Sequence, residues 1–354
     1  MRPESLQFLR NLIETPSPSG FEQPVQRVVR AYASAFADEV TTDVHGNVTA
    51  VLNPGGYPRV MLAGHCDQIG MMLTHVTDDG YLYFAAIGGI DAAVVPGLPL
   101  CVHGRHGCVP GVVGRKAIHL MKPEERDKAK HELADLWIDI GAQNKDDALS
   151  CVQVGDPVTF ALHFQTLRQD LVAGPGFDDK VGAFVAMESL RLLAGRKLKC
   201  AVYAVSTVQE ELGLRGARSS AFGIDPQVGI AIDVTHATDY PGGDPKRTGE
   251  VKLGAGPTIC RGPNINPPLR ELLEAAAAKK KLPWQVEPEP GATGTDANAI
   301  QISRAGVATA LLGIPNRYMH TPVEVVSLTD LETAAKIIAE AVAKLTPETN
   351  LVPL

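Results

Sequence analysis

Residues 4 to 14 and 24 to 36 repeat apolar positions at helical spacing and predict two amphipathic helices. Pro16 and Pro18 stop the first, and Ser19 with Glu22 predicts a capping box ahead of the second. The period then changes. Residues 48 to 52 and 60 to 63 are unbroken apolar runs of strand length, and the second runs into Gly64-His65-Cys66-Asp67. From about Ile69 short alternating runs follow, with Asp78-Asp79-Gly80 as a hairpin turn and glycine and proline at close intervals, broken by a charged stretch at 122 to 136 and ending in a strand at 158 to 164. This texture predicts a small closed β-barrel inserted at residues 70 to 165.

Beyond it the chain reads as α/β. A helix at 181 to 194 leads to an apolar strand at 201 to 206 and then Glu210-Glu211. A short glycine-flanked helix precedes a strand at 228 to 232, which ends in Asp233. Helices at 268 to 280 and from about Asp296, a strand at 308 to 314, and a loop holding His320 follow. A last helix, 328 to 345, has Ser327 and Asp330 as its expected capping box. The expected fold is therefore α/β, with residues 1–69 and 166–354 forming one domain around the insert.

At 354 residues the chain exceeds the usual span of one hydrophobic core, which agrees with that division. Its net charge of -7, with no basic run, argues against nucleic acid or an anionic membrane as partner. No apolar stretch is long enough for a membrane span, and the N-terminus lacks the unbroken apolar core of a signal peptide. The six cysteines form no C-x-x-C pair and read as small buried hydrophobes in a reducing cytoplasm.

The candidate chemistry lies in segments far apart in sequence. His65, Glu210-Glu211, Asp233 and His320 are each expected at or just past the C-terminal end of an apolar strand, where α/β sheets form their ligand crevice. Asp178 and Asp179, within the Gly176 to Gly182 stretch GFDDKVG, would join them from a glycine-bracketed turn. Singly, each has a plain structural explanation as a cap or a solvated polar group. Together, two imidazoles and three carboxylates suit a pair of divalent ions, zinc, cobalt or manganese. Two such ions sharing one acid leave room for a water, which they acidify, and a neighbouring unligated acid becomes its general base.

HCD at 65 to 67, GFDDKVG at 176 to 182, EELGLRGA at 210 to 217, AIDVT at 231 to 235 and GIPNRYMHTPVEV at 313 to 325 resemble the dinuclear metallo-aminopeptidases of the TET type. These enzymes are also called glutamyl or deblocking aminopeptidases and, in older usage, endoglucanases. The resemblance spans essentially the whole chain, including GDPVTF at 155 to 160 and GTDA at 294 to 297. It implies a three-layer α/β/α catalytic domain with a mixed sheet and a PDZ-like barrel. It implies His65 and Asp233 on one ion, Glu211 and His320 on the other, and Asp178 bridging. Glu210 would pass a proton from water to the leaving amine, and Asp67 would orient His65. Asp179 would not be a ligand, and the peptide between the two acids would be cis. The implied assembly is of dimers joined into a tetrahedral dodecamer, the implied substrate a short peptide, and the implied place the cytoplasm. Two residues depart from the pattern: Gln68 stands where the family often has Glu, and Lys180 where it commonly has Arg.

The remaining histidines, at 45, 75, 103, 106, 119, 131 and 163, read as structural or surface residues, while His236 could line a substrate pocket. Gly294 to Asp296 and Arg317 are candidates to hold the substrate α-amine. Gly88-Gly89 and Gly242-Gly243 lack a phosphate-loop context. Competing functions are a related dinuclear amide hydrolase, deacylase or carboxypeptidase, a glycoside hydrolase, which would leave the histidines unexplained, and a peptide-binding scaffold, which would have no use for Glu210.

Overall fold

The apolar runs form the middle of an eight-stranded mixed sheet in the computed structural model, which describes residues 1–122 and 132–353. Its order is β1 (Glu39–Thr42), β2 (Val48–Leu52), β12 (Ala201–Thr207), β3 (Arg59–His65), β13 (Val228–His236), β16 (Ala308–Asn316), β14 (Thr258–Arg261) and β15 (Gln285–Pro288). The four strands β12, β3, β13 and β16 pair in parallel, and both faces of these strands are covered. That is why their sequences are continuously apolar rather than alternating. In β3, Val60 and Leu62 join one core, and Met61 and Ala63 join the other.

On the larger core pack α1 (Pro3–Glu14), α2 (Gln23–Ala33), α4 (Phe177–Leu193), α7 (Pro267–Lys280) and α9 (Leu328–Val342). On the opposite face lie α5 (Arg215–Ile224) and α8 (Asp296–Ile300), with Ala217, Ala221 and Ile300 in the smaller core. This gives the three layers. The short helices α3 (Lys145–Cys151) and α6 (Pro245–Thr248) lie outside this packing.

Between β3 and α4 the strands β4 (Gly70–Val76), β5 (Leu82–Ile87), β6 (Pro99–Gly104), β7 (Gly107–Gly114), β8 (Trp137–Asp139) and β9 (Pro157–Phe160) close an antiparallel barrel in the order β4-β5-β8-β7-β6-β9. Alternate residues fill it, Met71 and Leu73 from β4, Leu100 and Val102 from β6. A small antiparallel sheet, β10 (Gln165–Thr166), β11 (Leu171–Gly174) and β17 (Glu324–Ser327), links the barrel's exit to the start of α4.

Several local expectations need correction. Both capping boxes are absent, because tertiary partners take their side chains. Ser19 Oγ donates to Asp67 Oδ2 at 2.6 Å, and Glu22 Oε1 accepts from the amides of Gly20 and Gln209. Ser327 Oγ donates to Asp170 at 2.6 Å, and Asp330 accepts from the amides of Gly254 and Gly256. Strand β9 stops at Phe160, and β13 continues three residues past Asp233 because β16 keeps pairing with it. Cys101 and Cys108 are disulfide-linked across the β6-β7 hairpin, so the expectation that all six cysteines are free fails for this pair. His131, and most of the charged stretch, lie outside the described residues. Among the described residues, no helix is long and apolar enough to cross a membrane.

Candidate metal centre

The site is assembled where β3 meets the start of α4. A Cβ on Gly64 would sit 2.1 Å from the backbone carbon of Gly182, and one on Gly182 would sit 2.1 Å from Asp179 Oδ2. Glycine at both positions is what lets strand and helix come this close, and the contact sets the Asp178 turn beside His65. The peptide between Asp178 and Asp179 is cis. The two acids then do different things. Asp179 is fully buried, and its oxygens accept from the amides of His65 at 3.1 Å and Gly182 at 2.9 Å. Asp178 instead aims into the cavity, with Oδ1 3.3 Å from His65 Nε2 and Oδ2 3.2 Å from His320 Nε2.

Around Asp178 the donor atoms fall into two groups, each with all its atoms within 4.8 Å of one another: His65, Asp178 and Asp233, and Asp178, Glu211 and His320. The imidazoles are held in the tautomer that frees Nε2. His65 Nδ1 donates to the carbonyl of Asp67 at 3.1 Å, and His320 Nδ1 donates to the carbonyl of Gly89 at 3.0 Å. His320 has a left-handed backbone, φ 60°, unusual for a residue with a side chain and often found at functional sites.

Asp67 does more than orient one ring. Its Oδ1 accepts from the amide of Glu210 at 3.0 Å and its Oδ2 from that of Glu211 at 3.2 Å, so one fully buried carboxylate ties the His65 strand end to the Glu210-Glu211 turn. Glu210 Oε2 lies 3.7 Å from His65 Nε2. Burial pushes Glu210 up to about 9, with Asp233, Asp296 and Asp67 adding to the shift against His65. Burial and Asp178 push Glu211 up to about 7, and burial with Asp179 pushes Asp233 well above the carboxylate range. Burial opposes the ionisation of Asp178, but His320 and His65 outweigh it and hold it well below the usual range. The Asp178 carboxylate and Glu211 hold His320 up, at about 9. Acids crowded in this way, with Glu211 Oε1 buried and lacking any hydrogen-bond partner, are suited to cations more highly charged than protons. The donor set of imidazole and carboxylate fits two divalent ions.

Two contributors were not foreseen. Glu324 on β17 is buried; its Oε2 accepts from the amide of Asp178 at 2.8 Å and its Oε1 from that of His320 at 3.1 Å. The motif around His320 contains Glu324, but nothing in its spacing separates a carboxylate that braces backbone from one that faces solvent. Gly88-Gly89 proves to be packed against the site: Cβ atoms there would meet Glu211 Oε2 at 3.1 Å and His320 Nδ1 at 3.0 Å. Asp296 accepts from Thr207 Oγ1 at 2.6 Å. Gly294 and His236 line the cavity, whose volume is about 570 Å³. Arg317 is instead paired with Asp239, at 2.6 and 2.9 Å. None of His45, His75, His103, His106, His119 and His163 lines the cavity.

Residues 46–337 match the M42 glutamyl aminopeptidase family. The chain belongs to that family. Its relatives include a lysyl aminopeptidase of Pyrococcus furiosus, 38% identical over 96% of this chain and 97% of that one. A solved TET aminopeptidase from a marine-sediment archaeon of the Thaumarchaeota is 35% identical and superposes with a TM-score of 0.93, covering 98% of both chains. The TET1 peptidase of Pyrococcus horikoshii, which can assemble into a tetrahedron or a large octahedral shell, is 33% identical with a TM-score of 0.85, covering 96% of this chain and 100% of that one. This member of the M42 family is thus an aminopeptidase with the TET fold, and its cluster of ionisable side chains contains two candidate metal-binding groups.

Proposed function

We propose that the chain is a metal-dependent aminopeptidase that removes N-terminal residues from short peptides in the cytoplasm. His65 and Asp233 would hold one divalent ion, Glu211 and His320 a second, and Asp178 would be shared by both. Zinc, cobalt and manganese all suit these donors. The reading is carried by Asp178, whose two oxygens each lie beside a different imidazole, at 3.3 and 3.2 Å. When bound, the ions supply Lewis acidity that lowers the pKa of a water and polarises the scissile carbonyl. Glu210, beside His65 and not in either ligand group, would serve as the general base toward the attacking water and as the general acid toward the departing amine. Asp67 and Glu324 hold the ligand-bearing backbone in register.

In the same proposal residues 70–165 form an inserted oligomerisation domain that joins dimers into a tetrahedral dodecamer. The shells formed by the P. horikoshii relative support it, as do the exposed Ile118 and Leu120 beside the barrel, apolar surface that a neighbouring copy would cover. Sedimentation of the intact chain distinguishes dimer from dodecamer. The names of relatives point to opposite side chains, lysyl in P. furiosus and glutamyl for the family, so preference has to be read from the pocket.

The test is hydrolysis of aminoacyl-p-nitroanilides by metal-stripped protein, with and without added cobalt, zinc or manganese. Activity that returns only with metal and only on free α-amines is the expected result. Full turnover in the stripped protein would overturn the metal assignment, and turnover of N-acylated peptides alone would point to a deacylase.

A further inference from the structure

The cavity runs past the ligand cluster to a second wall of different chemistry. Glu287 on β15 and Glu289 just beyond it both line this wall. Thr235 Oγ1 donates to Glu287 Oε1 and Thr258 Oγ1 to its Oε2, each at 2.7 Å. The two threonines belong to β13 and β14, so the carboxylate is fixed by the sheet itself rather than by a loop. Glu289 Oε1 accepts from the amide of Gly291 at 2.9 Å. The groups that hold the two acids are thus hydroxyls and an amide rather than cations. Burial raises the pKa of Glu287 and Glu289 adds to the shift, against the two hydroxyls and His236. Leu214, Leu311 and Met319 supply apolar surface in the same cavity.

A held pair of carboxylates without a cation, reached past apolar walls, matches a guest with a methylene stem and a positive end. We propose that Glu287 and Glu289 select a cationic N-terminal side chain, lysine or arginine, on the peptide substrate. An acidic side chain would bring a third carboxylate to the same wall and is rejected. This rests on the cluster being the hydrolytic site, since the specificity wall shares its cavity.

The experiment compares kcat/KM of the metal-loaded enzyme on Lys-, Arg-, Leu- and Glu-p-nitroanilide. The expected result is Lys and Arg above Leu by at least about tenfold, or about 1.4 kcal/mol, with Glu lowest. In Glu287→Gln and Glu289→Gln the Lys-to-Leu ratio falls about tenfold or more, chiefly through KM. Calorimetry with L-lysinamide and L-leucinamide gives a readout independent of turnover, and lysinamide should lose its advantage in both variants. Preference of the wild type for Leu or Glu would overturn the proposal while leaving the peptidase intact. So would an equal fall on all substrates, because the pair would then be reading the α-amine. Absence of turnover on every substrate with metal bound would count against the hydrolytic reading instead, and the lysinamide titration would still decide the cationic preference.

Discussion

Lys180 donates through its ammonium to the side-chain oxygen of Gln68, and both residues are buried. These are the two positions at which the chain departs from the pattern it otherwise resembles. In sequence they read as separate losses, of a carboxylate and of a guanidinium. In the fold they are one contact: an amide and an ammonium face each other where a carboxylate and a guanidinium would, and Lys180 Nζ also donates to the carbonyl of Thr15 at 2.8 Å.

Lys180→Met takes the donor from the buried Gln68 oxygen and from the partly buried Thr15 carbonyl and is expected to lower unfolding free energy by about 1–3 kcal/mol. In a Gln68→Leu background the loss should shrink by at least about 0.5 kcal/mol, the coupling expected of residues in contact. Urea titration of the four proteins measures both quantities. Simple additivity would mean that the contact adds no coupling between the two residues.

Glu210→Gln should fold, retain its metal and lose turnover by about 10²–10⁴-fold, the scale of a general acid–base group. Metal analysis of the purified variant alongside its kcat checks this. A fully active variant would remove Glu210 from the proton path.

Glu324→Gln replaces an acceptor on one of two backbone amides with a donor. The turn bearing Asp178 and the loop bearing His320 lose their common brace, and metal affinity is expected to fall about 10–100-fold. Competition with a chromogenic chelator reads this directly, without an activity assay.

Glu188 gives a pH prediction away from the cavity. It accepts from Ser5 and Tyr32 and pairs with Arg191 at 2.9 Å, joining α1, α2 and α4. Burial opposes its ionisation, yet Arg191 and Tyr32 hold its pKa below the ordinary 4.5. A folded-state pKa below the unfolded one gives stability that is present above about 4.5 and lost as pH falls through the folded value. Glu188→Gln should therefore cost about 1–3 kcal/mol at pH 7, and its deficit should narrow in melts taken below about pH 4. A gap that stays constant with pH would show that shape, not charge, matters there.

The residues of the candidate metal cluster were readable because each sits in a short segment whose type is unusual for a strand end or turn. The helices and the parallel strands were readable because period and continuous burial leave a direct trace. What escaped was determined by partners distant in sequence. Glu22, Ser19, Ser327 and Asp330 have the spacing of helix caps, but the fold uses them across segments. Glu324 braces two backbone amides of the site and Gly89 offers its carbonyl to the His320 imidazole, roles that residue type does not signal. The acid wall was missed because Gln285–Pro288 is a short strand ending in proline, without apolar alternation, and is formed by pairing with β14.

The dispersal of the site along the chain also bears on its biosynthesis. The segment bearing His320 and Glu324 is synthesised after those bearing the other cluster residues, and α9, which packs against the helix that begins at Asp178's turn, follows it. Before that segment is made, the chain holds four of the five proposed ligands but lacks His320 and the Glu324 carboxylate that braces the Asp178 amide. With the proposed ligands, the second ion's site is therefore incomplete until this segment has been added.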